Sequence, residues 1–323
     1  MKPTLSVIMS NYNHAPYIGK ALEAILSQSY RPKEVIVIDD ASTDDSVEII
    51  QRFVNSDRIV RLLRNERNEG SIYNANRLLR ISSGDYFYSA AADDQVLPGF
   101  FEKSISLMAS YPQAGLCCSD PVSLDEKTGI IRYDKLRWND KPSYFSPEVL
   151  ARTLRGGFIP GHTSIVRRSC LLEIGGFASE LRWHADWFAS LVVAFRYGIC
   201  YIPEPLSLYR MVPGSFSVAG IRNRRLQHDV LKKLFSLLKS PEYRNVFPFF
   251  IRGNVMHHFG REGVRVAINN PQCWDTRSFM LIRREIWSEI RRYLSFITPS
   301  PVKDIYRYIR NFVFAKNCVI KLS

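Results

Sequence analysis

The chain lacks what a membrane-spanning, secreted or zinc-built protein needs. None of its 323 residues fall in an uninterrupted apolar run approaching the roughly 20 needed to cross a bilayer. The opening "MKPTLSVIMS" passes straight into a strand-like run, without the layout or cleavage site of a signal peptide. Six cysteines, at 117, 118, 170, 200, 273 and 318, form no Cys-x-x-Cys pair and mostly sit in apolar sequence. They read as reduced core thiols, an expectation that points to the cytoplasm. Internal repeats and low-complexity tracts are also missing. Acidic residues are scarce only toward the end. Residues 1–218 carry 24 Lys+Arg and 24 Asp+Glu, whereas 219–323 carry 20 against 7, the whole of the +13 excess. Such asymmetry divides the chain into a neutral region, 1–218, and a basic one, 219–323, with different partners. Charge alone would admit nucleic acid, but no zinc-finger spacing, RNP motif or recognition helix accompanies it, so no nucleic-acid partner is expected.

What is present is an ordinary folded composition, 46% hydrophobic and 23% charged. Strand and helix patterns alternate through the first 120 residues. "LSVIMS" (5–10), "EVIVIDD" (34–40), "IVRLLRN" (59–65) and "DYFYSAA" (85–91) read as strands, the second a continuous β-branched run suited to burial on both faces. Between them, Ile18, Leu22, Ile25 and Leu26 recur at helical spacing, and "SIYNANRLLRIS" (71–82) is a further helix. Ser42 offers an N-cap to the helix after the second strand, with Asp44 and Asp45 in its first turn. This alternation predicts an α/β fold with a mostly parallel open sheet, Rossmann-like and flanked by helices. Further on, Ser146 caps a helix with Pro147 at its first position, "TSIVRR" reads as a strand, and "ADWFASLVVAFRYG" (185–198) is a buried helix closed by Gly198. Beyond residue 220 the patterns are helical, at 222–239, 278–297 and 302–314.

Ligands of open α/β sheets bind beyond the carboxyl ends of the strands, and that is where acidic residues collect. Asp39 and Asp40 end the second strand; Asp93 and Asp94 follow the three alanines that end the fourth. Adjacent carboxylates repel unless a positive charge joins them, and Mg²⁺ or Mn²⁺, which take oxygen ligands, would do so. The plainer alternative is that the second pair caps a helix beginning near Pro98.

The stretch "LSVIMSNYNHAPYIGKALEAILSQSYRPKEVIVIDDASTDDSVEII", followed by "NEGSIYNANRLLRISSGDYFYSAAADD", "HADW" and "LYRMVPGSFS", resembles family 2 glycosyltransferases of the GT-A type over residues 4–217. The resemblance implies an inverting, metal-dependent transfer of a sugar from a nucleotide donor, with UDP- or dTDP-sugars favoured, to a glycan or lipid-linked acceptor. The transferred group would be a hexosyl or N-acetylhexosaminyl unit in surface polysaccharide or glycoconjugate synthesis. It assigns Tyr12 to stacking on the base, Asp40 to the base imide, Ser10 to the same pocket, Asp93 to ribose or sugar, and Asp94 to Mn²⁺ or Mg²⁺ on the diphosphate. It makes Asp186 the base that deprotonates the acceptor hydroxyl. His184 is the alternative base. His162, Trp183 and Trp187 are candidate contacts to acceptor or sugar, and the glycines at 156, 157 and 161 suggest close approach of backbone to a ligand.

Two departures from the family pattern stand out. Ala185 occupies the position of the usual Glu before Asp186, and Val212 that of the usual His, leaving Arg210 or Ser215 to face the diphosphate. A non-catalytic nucleotide-sugar-binding protein on the same fold is the alternative these departures leave open. A sugar nucleotidyltransferase would need a Gly-rich basic loop after the first strand, where this chain has "SNYNHAPY". In the basic region, "FMLIRREIWSEIRRYLSFI" (279–297) places Ile282, Ile286, Ile290, Tyr293, Leu294 and Ile297 on one helical face and arginines toward the other. The expectation is that this face packs inward while the charges draw the protein to the inner face of a membrane.

Overall fold

Strand and helix alternate from the start in a computed structural model that describes residues 2–212, 216–271 and 275–297. β1 (Leu5–Asn11), α1 (Ala15–Leu26), β2 (Glu34–Asp39), α2 (Ser46–Ser56), β3 (Val60–Arg64), α3 (Ser71–Ile81) and β4 (Tyr86–Ala91) form the first half. β5 (Gln95–Val96), α4 (Phe100–Ser110), β6 (Leu116–Asp125), β7 (Ile131–Tyr133), β8 (Ser143–Phe145) and α5 (Pro147–Leu154) follow. Then come a 3-10 turn (Gly161–Thr163), β9 (Ile165–Arg167), α6 (Arg168–Glu173), a second 3-10 turn (Ser179–His184), α7 (Ala185–Tyr197) and β10 (Ile199–Met211). The remaining helices are α8 (Phe216–Arg222), α9 (Arg224–Lys239), α10 (Phe247–Arg252), α11 (Gly260–Asn269) and α12 (Thr276–Ile297).

The described strands join one open sheet in the order β3-β2-β1-β4-β9-β6-β10-β5, with β7 on β6 and β8 on β10. β3-β2-β1-β4 is parallel, as the alternation predicts, and so is β6-β10. β9 runs antiparallel between the two blocks. Register makes the first block end level: Asn11 pairs with Asp39, and Ser10 with Ala91. The residues just past these ends therefore share one edge of the sheet.

All six residues of β2 are buried, because helices cover both faces. α1 turns Ile18, Ala21, Leu22 and Ile25 into the core, and Tyr88 meets Phe100 and Phe101 edge-on at 5.2 and 5.7 Å. Gly84 is needed at the foot of β4, since a Cβ there would lie 2.6 Å from the backbone nitrogen of Ser6. Cys117, Cys118, Cys170 and Cys200 are buried free thiols, as expected; Cys273 and Cys318 lie outside the described residues.

Two local expectations change, and one alternative reading falls. Ser42 does not cap α2, which begins at Ser46; its hydroxyl instead accepts the Asn13 N–H at 3.0 Å and the Asn11 amide at 3.1 Å. The Asp93–Asp94 pair does not cap α4 either, because β5 intervenes and Gly99 takes the cap position. α12 exposes Phe279, Met280, Trp287 and Ile290 beside the exposed Arg277, Arg283, Arg284 and Arg291. Ile282 is buried as expected, but Ile290 is not, since Leu281 and Ile282 set the inward direction. The side chains of Tyr293, Leu294 and Ile297, the helix expected at 302–314, and Ser215 lie outside the described residues.

Charge and packing divide the chain at different places. Packing gives a first unit ending at His258 and a second beginning at Phe259, so α9 and α10 belong with the sheet. No helix among the described residues is long and apolar enough to cross a membrane.

Candidate active site

On the β1–β2–β4 side, a polar network closes the strand ends. Asp39 accepts the Asn11 amide at 2.9 Å and the Ser42 N–H at 3.0 Å, tying the turn after β2 to β1. Asp40, 2% exposed, accepts the N–H groups of Glu69 and Gly70 at 2.9 Å each and the Asn65 amide at 2.7 Å. Burial alone would raise its pKa, but these hydrogen bonds hold the carboxyl below its ordinary value. Its oxygens thus secure the loop before α3, and an imide contact would have to use the remaining lone pair of Oδ2. The network continues through Asn74, which donates to Ser10 Oγ at 3.1 Å and accepts from Asn65 at 2.9 Å. Tyr12, just past β1, is 44% exposed and leaves its ring open to a stacking partner.

Asp93 and Asp94 stand beside the end of β10. Pairing of Leu208 with Gln95 carries the next residues of β10 back along the acidic turn. The Arg210 backbone N–H donates to Asp94 Oδ1 at 2.8 Å, and its Nε donates to the Asp93 carbonyl at 3.2 Å. Burial, then the neighbouring Asp93, push the Asp94 carboxyl up to about 7, against the pull of the Arg210 N–H and guanidinium. His14 Nε2 lies 4.0 Å from Asp93 Oδ2. No three acidic, histidine or cysteine side chains gather as a metal cluster among the described residues. Asp94 nevertheless fits a divalent cation shared with a diphosphate: Oδ2 has no hydrogen-bond partner among the described residues, and its charge is held in an unfavourable setting that a cation relieves.

The turn at 161–163 joins this edge to Asp186. His162 packs on Tyr209 at 5.1 Å between ring centres, and its carbonyl accepts the Tyr88 hydroxyl at 3.0 Å. Tyr88 and Tyr209 both feel the negative charge of Asp94. On the other side, a Cβ at Gly161 would stand 2.8 Å from Asp186 Oδ2, so only glycine leaves that carboxylate its place. The close approach expected of Gly161 is to this side chain. Gly156 lies instead against His257, and Gly157 against the Leu154 carbonyl.

Asp186 is the one exposed residue between Trp183 and Phe195. It occupies the first turn of α7, where Oδ1 accepts the Trp187 N–H at 2.8 Å. Water reaches the carboxylate, yet protein surrounds it closely enough that desolvation raises its pKa. That direction suits a base working near neutrality. Ala185 is fully buried, so the position of the family's usual Glu faces the interior.

Its neighbours do not share the cleft. Trp183 is 8% exposed, donates its indole N–H to Gln227 at 2.8 Å, and packs against Gly220 so closely that a Cβ there would lie 2.2 Å from the ring. His184, 4% exposed, contacts the same Gln227 oxygen at 3.1 Å, and burial pushes its pKa down to about 4. Trp187 stacks on His258 at 5.9 Å. These three are core side chains, which removes Trp183 and Trp187 as sugar platforms and His184 as a base. His162 lies at the cleft, with Nε2 shielded and unpartnered and its pKa pushed down to about 4 by burial. Sequence reading missed His14, Tyr17, Asn65, Asn74, Glu126 and Tyr209. His14, Tyr17 and Asn74 sit inside the quoted motifs, whereas nothing local marks Glu126.

The raised Asp94 pKa sets a pH dependence. A carboxyl whose folded pKa exceeds its unfolded one contributes no penalty below about pH 4 and an increasing one up to about 7. Asp94→Asn should therefore stabilise the metal-free protein increasingly from pH 4 to 7, with a plateau above. Melting curves in a chelator should show a gain at pH 8 that is absent at pH 4, since 1 kcal/mol moves the midpoint of a 150–250-residue domain by roughly 2–4 °C and that of a longer chain by less.

Comparison with known proteins agrees with this geometry. The family model described as "Glycosyl transferase family 2" matches residues 6–175. An uncharacterized protein of Mycobacterium tuberculosis is 27% identical over 249 residues, 74% of this chain and 77% of its own length. An uncharacterized glycosyltransferase of Methanocaldococcus jannaschii is 26% identical over 231 residues, 70% and 77% of the two chains. Among solved structures, Staphylococcus aureus TarS in complex with UDP-GlcNAc superposes with a TM-score of 0.64 at 16% identity, covering 87% of this chain and 81% of that one. A mannosyltransferase from Pyrobaculum calidifontis in complex with GDP-Man and Mn²⁺ gives 0.58 at 17%, covering 97% and 81%. With over half of its length matched and its strand-end carboxylates on the sheet these neighbours share, the chain belongs to glycosyl transferase family 2 and has the GT-A fold.

Proposed function

We propose that the protein is an inverting, metal-dependent glycosyltransferase that moves a hexosyl or N-acetylhexosaminyl group from a UDP- or dTDP-sugar to a glycan or lipid-linked acceptor, in surface polysaccharide or glycoconjugate synthesis. One observation carries the reading. The one exposed residue of the Trp183–Phe195 stretch, Asp186, abuts the 161–163 turn, whose His162 packs on Tyr209 of β10, a ring that feels the charge of Asp94. A base and an acidic, cation-seeking edge thus border one another.

In this reading Tyr12 stacks on the base, while Ser10, Asp40 and Asp93 line the nucleoside and sugar. Asp186 takes the proton of the acceptor hydroxyl as its oxygen bonds to the anomeric carbon. The bond from that carbon to the diphosphate oxygen breaks on the opposite face, which inverts the configuration. Mn²⁺ or Mg²⁺, when bound at Asp94, supplies positive charge against the departing diphosphate. Arg210 adds a fixed cation beside it. The nucleotide-sugar complexes of the two structural neighbours support the donor class. α12, with exposed Trp287, Phe279 and four exposed arginines, supports work at the inner face of an anionic membrane.

Nucleoside diphosphates and their sugars should raise the melting temperature in the presence of Mn²⁺, and Asp94→Ala should abolish the metal dependence while leaving the fold intact. An Asp94→Ala protein that still responds to the cation would exclude this site. Asp186→Asn should keep donor binding and lower turnover by about 10²–10⁴-fold, the usual worth of a general base; retained turnover would exclude Asp186. Sedimentation with phosphatidylglycerol vesicles should carry the protein down, and replacing Arg283 and Arg284 by Glu should leave it in the supernatant.

A further inference from the structure

Arg210 is held far more tightly than a surface arginine. Its side chain is 12% exposed. Nη1 contacts Glu126 Oε2 at 2.5 Å, Nε donates to the Asp93 carbonyl at 3.2 Å, and the guanidinium lies over the Tyr17 ring, 5.0 Å from its centre. The Tyr17 hydroxyl stands 3.5 Å from Glu126 Oε1. Three elements therefore meet at one cation: α1, the end of β6, and β10. Strand pairing fixes their spacing, because Arg210 pairs with Leu124 and the Glu126 N–H reaches the Met211 carbonyl. A guanidinium has five donors. Here Nη2 has no hydrogen-bond partner among the described residues, so one edge of the plane is left for something else.

We propose that Glu126 and Tyr17 are positioning residues that aim this free edge of Arg210 at the diphosphate of the bound nucleotide. The inference rests on the function proposed above. Its physical core is a conflict of signs. A carboxylate placed near a diphosphate weakens binding by repulsion unless it serves another purpose. Glu126 serves one by engaging one side of the guanidinium, while the Tyr17 face limits rotation about the remaining bonds. Arg210 is a fixed positive side chain at this edge, and its direction decides how well it meets two phosphates.

The test is calorimetric titration in Mn²⁺ of UDP against UMP, dTDP against dTMP and GDP against GMP. In wild type, the diphosphate of the preferred base should bind more tightly than its monophosphate. Glu126→Ala should weaken diphosphate binding by about tenfold or more, the usual worth of a charge-assisted contact, while monophosphate binding stays within about twofold. Glu126→Gln, which keeps an acceptor oxygen, should recover most of the loss, and Tyr17→Leu should show a smaller selective loss. If Glu126→Ala does not fold, Glu126→Asp should give the same selective loss, since it draws the carboxylate back by one methylene.

Unchanged or tighter diphosphate binding in Glu126→Ala would overturn the inference, because removal of a like charge alone predicts tightening. Equal losses for mono- and diphosphate would overturn it too, as the mark of general bracing. A wild type that binds none of the six nucleotides would overturn the proposed function first and this inference with it. That failure is distinct from a change confined to the variants.

Discussion

The site depends on how two like charges are held together. The sheet places Asp93 and Asp94 side by side where β4 gives out, and nothing in β1, β2 or β4 offsets them with a cation. The offset comes from the other block: antiparallel pairing of β5 with β10 brings the Arg210 N–H to Asp94 and its side chain to the Asp93 carbonyl. Without that seam the acidic turn would repel itself. With it, Asp94 keeps an elevated proton affinity and an oxygen without a hydrogen-bond partner among the described residues, the combination that favours a divalent ion. The antiparallel β9 has a companion role. By joining the two parallel blocks, it sets the 161–163 turn between Asp94 and Asp186.

Much of the first half was legible because its signals are local. Short apolar runs between helical patterns, β-branched in β2 and aromatic in β4, gave β1 to β4 to within a residue or so at each end, and Ser146 with Pro147 marked the start of α5. β6 was not legible. "LCCSDPVSLD" mixes serine, proline and aspartate into the pattern, and it is a strand because β9 and β10 flank it. The same distinction holds at the site. Asp94 and Asp186 are read from motifs, but Glu126 and Tyr17 meet Arg210 only through tertiary pairing, which no local pattern encodes. Trp183 and His184 misled for the opposite reason. They adjoin Asp186 in sequence, but they belong to the 3-10 turn before α7 and are enclosed by Gln227 and Gly220, whereas Asp186 faces outward.

The helices beyond the family match take part in this geometry. Gln227 of α9 is 5% exposed and accepts from Trp183 while contacting His184, the two residues that lead into the Asp186 turn. Gly220 of α8 fits against the face of Trp183. Net charge sets this region apart, yet its packing supports the helix that carries Asp186. The basic character is concentrated on surfaces such as that of α12, whereas the parts that touch α7 are neutral. A boundary drawn by charge and one drawn by contact therefore answer different questions.

Asp186 sits alone on the wet side of a helix that is otherwise enclosed as far as Phe195, and this has a consequence for inheritance. Changes to its neighbours disturb the interior and are removed with the misfolded chain, but a change at this one position leaves the architecture intact. On the role proposed for Asp186, a duplicated copy would lose its chemistry in a single step and persist as a folded protein.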